Sequence, residues 1–98
     1  MEFNKEDIQT KLLTASGLIT DRPAWVFSTV AEDYESTSSV IVLYSGRGTN
    51  GEIKFYLAPT KYNSDVMVFN SPVFFKDGIY ADFAANGHSI FVQYLPVY

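Results

Sequence analysis

Ser71-Pro72-Val73-Phe74-Phe75-Lys76-Asp77-Gly78-Ile79-Tyr80-Ala81-Asp82-Phe83-Ala84-Ala85-Asn86-Gly87-His88-Ser89-Ile90-Phe91-Val92-Gln93-Tyr94 is the stretch whose reading decides the fold. It reads as three strands separated by two tight turns. Asp77-Gly78 and Asn86-Gly87 supply residues that tolerate positive φ, which the turns matched to strand twist require. Between them Ile79, Ala81 and Phe83 alternate with Tyr80 and Asp82, and Ile90, Val92 and Tyr94 alternate with Phe91 and Gln93. Period-two alternation on both sides of such turns predicts an antiparallel meander.

Working back from there, residues 65–70 carry Val66 and Val68, with Met67 and Phe69 as a second apolar face. Residues 52–57 alternate with Ile53, Phe55 and Leu57 inward. Residues 40–44 are apolar on both faces, which implies a strand covered on two sides. Residues 24–30, with Trp25, Val26, Phe27 and Val30, form another strand, and 18–20 a short one before the turn at Asp21-Arg22-Pro23. The acidic stretch 31–39 reads as a solvated loop. Residues 3–13 are the one helical candidate: Asn4 stands as a cap, Phe3 and Ile8 as a hydrophobic staple, and Ile8 and Leu12 share a face. A helix this short is marginal alone, so an extended arm that orders against a neighbour is the other reading. The expectation is an all-β, antiparallel sandwich or jelly-roll-like fold of seven to eight short strands. The domain spans 17–98, preceded by an arm or short helix over 1–16.

Bulk composition narrows the function. At 98 residues, nearly half of them apolar, the chain is one folded domain rather than a disordered one. Without cysteine it has neither disulfides nor a thiolate metal site. Seven Lys and Arg against eleven Asp and Glu, with the cations scattered, argue against nucleic acid as a partner. No apolar run approaches membrane-spanning length, and the charged start has no secretory leader, so no membrane partner is expected.

Three motifs have sharper readings that fail on context. Gly46-Arg47-Gly48-Thr49-Asn50-Gly51 spells a dinucleotide-binding pattern, but the residues after it alternate as a strand, and the pattern needs a helix N-terminus there. It is a hairpin loop with Arg47 at its tip. His88 is the single histidine; next to Ser89 it points to the opposite face of a strand and makes no dyad, so it reads as a solvated residue flanking a turn. Glu32, Asp33 and Glu35 lack the ligand spacing and glycine of a calcium loop. No catalytic residues, no cofactor and no metal site are expected. The aromatics carry more: Tyr44, Tyr56, Tyr80 and Phe91 face away from the inward positions. They read either as aromatics that any sandwich buries on both faces or exposes singly, or as a contact surface made by outward aromatics on neighbouring strands. The apolar end through Tyr98 points the same way. The expected interface residues are Phe3, Ile8, Leu12, Tyr44, Arg47, Tyr56, Tyr80, Phe91 and Tyr98.

Over roughly residues 17–94 the chain resembles a group of small virion structural proteins of tailed bacteriophages. The resemblance is carried by Val42-Leu43-Tyr44-Ser45-Gly46 with Asn50-Gly51, by 71–82, and by Ile90-Phe91-Val92-Gln93-Tyr94. Ser45 stands where that group commonly has aspartate, Ala81 where it has valine, and the segment before Gly17 departs from it. The resemblance implies a β-sandwich with a structural role in the particle. The function expected from it is a non-enzymatic capsid decoration or cement protein bridging shell subunits. A head-tail connector, tail or fibre-anchoring adaptor, and a glycan-binding sandwich module, are the alternatives. The expected partners are the major capsid protein or other virion proteins and further copies of the chain, as a trimer or ring. The expected location is the virion, after synthesis in the host cytoplasm.

Overall fold

The computed structural model describes residues 7–34, 40–60 and 63–97. Phe3 and Tyr98, two of the expected interface residues, lie outside them. Eight strands follow one another: β1 (Gln9–Leu13), β2 (Gly17–Thr20), β3 (Ala24–Asp33), β4 (Ile41–Ser45), β5 (Glu52–Leu57), β6 (Asp65–Phe75), β7 (Ile79–Phe83) and β8 (His88–Pro96). They build two four-stranded antiparallel sheets, one ordered β1-β8-β3-β6 and the other β2-β7-β4-β5. This is an all-β sandwich, and its strand order is that of a jelly roll. The facing positions Val26, Ile41, Leu43, Leu57, Phe75, Ile79, Ala81, Ile90 and Val92 are sealed from solvent between the layers. Phe55 stacks on Phe69 across the gap, ring centroids 5.0 Å apart, and lies 5.9 Å from Phe75.

The stretch 71–94 does hold three strands, but they are not a meander. β6 pairs with β3, β7 with β2 and β4, and β8 with β1 and β3. Successive strands therefore lie in opposite sheets. The turn glycines behave as the steric argument requires, with φ of 108° at Gly78 and 85° at Gly87. Positive φ reverses the chain without choosing its partner. Here β3 occupies the place between β6 and β8, and β7 crosses to the other layer, where it lies between β2 and β4. The hairpin that stays in one sheet is β4–β5, across the glycine-rich loop, and the residues after that loop are strand.

The helix expected over 3–13 is corrected for its described part. Gln9–Leu13 is the edge strand β1, paired residue for residue with β8 from Gln9–Tyr94 to Leu13–Ile90. Tyr94 donates its hydroxyl hydrogen to Gln9 Oε1 at 3.1 Å. Weak local helix preference yields to a ladder that also covers Leu13. The boundary expected at 16/17 thus runs between two strands of the sandwich, and removing 2–16 would strip one sheet of its edge. The acidic loop is also shorter than expected, because β3 continues through Asp33.

Two irregularities redirect side chains. In β5 the register slips between Leu43–Phe55 and Tyr44–Ile53, so Lys54 is an extra residue and Ile53 turns outward, against the expected inward position. In β6 the pairing with β3 jumps from Ser28–Val68 to Val26–Val73, looping out Phe69 to Pro72 against Phe27. On this strand Val66 and Val68 face out, while Met67 and Phe69 pack against the core.

The β2–β3, β4–β5 and β6–β7 connections meet at one end of the sandwich. Gly46 N donates to Gly78 O at 3.2 Å, and Asp77 N donates to the buried Ser45 Oγ at 3.2 Å. A Cβ on Gly78 would stand 2.7 Å from the Thr20 carbonyl oxygen and 3.2 Å from that of Gly46. Gly78→Ala should therefore lower the unfolding free energy by about 2–3 kcal/mol, read from a urea melt, through left-handed backbone strain plus the clash. An unchanged midpoint would show that the three connections do not converge this tightly.

Candidate functional site

The outer face of the β2-β7-β4-β5 sheet gathers three of the four aromatics expected there. Register pairs Leu18 with Tyr80, Tyr80 with Tyr44, and Tyr44 with Ile53, so one row crosses all four strands. The next row runs Asp82–Val42–Tyr56. Tyr56 is 60 % exposed, whereas Tyr44 and Tyr80 are half-buried by their neighbours. Ile53 joins this row through the Lys54 bulge, which simple alternation misses. Ser16, from the β1–β2 turn, donates to Asp82 Oδ1 at 3.3 Å and accepts from Phe83 N at 2.8 Å, pinning that margin of the face. At the β5 edge Lys54 Nζ lies 2.8 Å from Glu52 Oε1. That hydrogen bond and the lysine's charge hold the Glu52 carboxyl below the usual glutamate value.

Phe91 does not belong to this surface. It lies on the outer face of the other sheet, where Leu12 pairs with Phe91, Phe91 with Val30, and Val30 with Val66. The expected aromatics are divided between two faces turned away from each other, because strands of one chain segment alternate between layers. Ile8 is half-buried just ahead of β1. Arg47 is exposed in the β4–β5 loop and lines an open depression of about 410 Å³ with Asp21, Pro23, Lys76 and Asp77.

His88 is the clearest correction to the sequence reading. It is 1 % exposed rather than solvated. The inward alternation of Ile90, Val92 and Tyr94 extends two residues further back and takes His88 between the sheets, opposite Asp33 of β3. Nδ1 lies 3.1 Å from the Asn86 carbonyl oxygen, which accepts its hydrogen. Nε2 faces Asp33 Oδ1 at 3.9 Å, too far for a hydrogen bond. Ser89 pairs with Glu32 and so points to the opposite face, leaving no His–Ser dyad. Among the described residues no three His, Asp or Glu side chains converge as a metal site. Thr29, two pairs along β3 on the same inward face, buries a hydroxyl with no hydrogen-bond partner. This polar lining inside an apolar core is legible only once the β3–β8 register is known.

Comparison of the chain with protein-family models, curated proteins and solved structures finds no match.

Two measurements check this description. Thr29→Val keeps the shape and removes the buried hydroxyl, so it should raise the unfolding free energy by about 1 kcal/mol; a loss of that size would mean the hydroxyl is satisfied. Burial pushes the Tyr94 hydroxyl above its ordinary value of 10.0. The folded state then holds that proton more tightly than the unfolded chain. The corresponding stability is complete below 10 and is lost as pH rises through the folded-state value. Between about pH 9 and about pH 11, Tyr94→Phe should lose less stability than the unaltered protein, and equal losses would place the ring outside the β1–β8 contact.

Proposed function

We propose that this chain is a non-enzymatic structural protein of a bacteriophage virion, acting as a capsid decoration or cement protein. The observation that carries the reading is the tyrosine-bearing row across the β2-β7-β4-β5 sheet. Leu18, Tyr80, Tyr44 and Ile53, with Tyr56 beside them, form one outward apolar surface that also carries tyrosine hydroxyls. Such a surface suits docking on another protein, where tyrosines contribute large contact area with little rotamer entropy to lose. Many copies bridging neighbouring subunits hold collectively, even where each contact is weak. The jelly-roll sandwich is compatible with this role without deciding it, since one fold serves many functions. The phage assignment itself rests on the sequence resemblance.

A second reading, a glycan-binding module, draws support from the depression between the turns. Asp21, Asp77, Arg47 and Lys76 there offer donors and acceptors for sugar hydroxyls. Among the described residues no aromatic ring lines it, and Trp25 is already packed on Phe74 with centroids 4.7 Å apart, so none of them offers a stacking platform for a sugar there.

Density-gradient purification of the particles decides between these. The chain should travel with the heads in stoichiometry with shell subunits, and Tyr44→Ala combined with Tyr80→Ala should cut occupancy about tenfold or more in a protein whose circular dichroism is unchanged. Recovery with tails or fibres alone would move the role to an adaptor. Absence from every particle fraction, with hits on a glycan array, would replace the reading altogether.

A further inference from the structure

The outer face of the β1-β8-β3-β6 sheet is a second apolar surface, and the tyrosine-row reading leaves it unused. Its first row is Leu12–Phe91–Val30–Val66. The next is Thr10–Gln93–Ser28–Val68, in which Ser28 donates to Gln93 Oε1 at 3.2 Å. A third, Leu95–Trp25–Phe74, continues the face toward the end of β8. Val68 is 76 % exposed, and Leu12, Val66, Phe74 and Phe91 are exposed with it. Among the described residues of these rows and the adjoining Glu32–Ser89 pair, Glu32 is the one charged side chain, at the margin. We propose that this face binds a second copy of the chain, giving a two-fold dimer with the two sheets packed face to face.

Three observations select that occupant. The first is charge. Each copy carries a net −4, so two copies approach best where charge is absent. A face whose one charge, Glu32, stands at its margin has little to repel its own image, whereas the opposite face carries Asp82 within its second row.

The second is area. A strand residue covers about 16 Å² of sheet, so strands of 5, 9, 10 and 11 residues make a face of roughly 550 Å². A pair would bury about 1,100 Å², just above the lower bound for a specific interface. This is also about a tenth of each copy's 5729 Å² surface, the usual share.

The third is shape. In a two-fold contact residue i meets j while j meets i. In the first row, an axis between β8 and β3 sets Leu12 and Phe91 of one copy on Val66 and Val30 of the other. Large side chains then face small ones, as interdigitating sheets require. Like faces close at two, so the order inferred is a dimer where the sequence alone pointed to a trimer or ring.

Sedimentation equilibrium of the full 98-residue chain from about 1 to about 100 μM tests this, since an interface of this size is expected to bind in the micromolar range. The mass should rise from 11.0 kDa to twice that value. Trp25 fluorescence should shift to the blue over the same range as its face is covered. Val68→Asp, at a position already open to solvent, should weaken pairing about 30-fold or more, and Phe91→Lys likewise, while Tyr56→Asp on the opposite sheet leaves it intact. Circular dichroism verifies that each variant is folded, and the Val68 variant suffices if the Phe91 variant is not. A chain that stays at 11.0 kDa, a trimeric or larger mass, or pairing that survives Val68→Asp would each overturn the proposal. So would pairing lost only with Tyr56→Asp. None of these touches the particle reading, which is judged by occupancy through the tyrosine row.

Discussion

The pairing of β3 with β8 is the interaction on which the rest of the structure depends. It runs without a break in direction from Ala24–Pro96 to Asp33–His88, slipping once at Phe27, and joins parts of the chain some two-thirds of its length apart. These two strands are the centre of their sheet. β1 hydrogen-bonds to the free side of β8 and β6 to the free side of β3, so the two edges belong to one sheet only through the central pair. The same pair supplies Ala24, Val26, Ala31, Ile90 and Val92 to the core and aligns Val30 with Phe91 on the outside. Contacts so remote in sequence are entropically costly to close, and a fold built on them forms slowly compared with one built from hairpins.

That dependence explains which parts of the architecture are visible in the chain itself. Alternation along β5, β7 and β8 and the glycines at 78 and 87 are local signals, and each corresponds to a real strand or a real left-handed turn. Partnership is not local. Asp77-Gly78 has the chemistry of a hairpin turn, yet it carries the chain from one layer to the other, where β7 lies between β2 and β4. The β1 segment shows the same limit from the other side: its capping residues and spaced Ile8 and Leu12 mimic a helix, and only the exposed edge of β8 makes it a strand.

The surfaces follow similar logic. Tyr44, Tyr56 and Tyr80 fall together as alternation implies, since β4, β5 and β7 are neighbours in one sheet. Phe91 obeys the same parity and still lands on the far side of the molecule, since its strand is in the other sheet. Ile53 is outward because one additional residue, Lys54, inverts the parity of what precedes it, and no pattern in the residues announces a bulge. His88 is hidden for a simpler reason: a polar residue beside a turn resembles a loop residue, and its burial follows from the length of β8 rather than from its own chemistry.

Strand β6 forms the long outer margin of its sheet, and the loop-out that ends at Pro72 falls near its middle. Proline has no amide hydrogen to offer, and the extra residues there bend the strand out of line with any straight neighbour. An eleven-residue margin rich in valine would otherwise be a template for endless strand addition, the route to fibrils. Interrupted in this way, the molecule can be crowded to high local density without its sheets zipping edge to edge. Growth in that direction is closed off, and association is left to the broad faces.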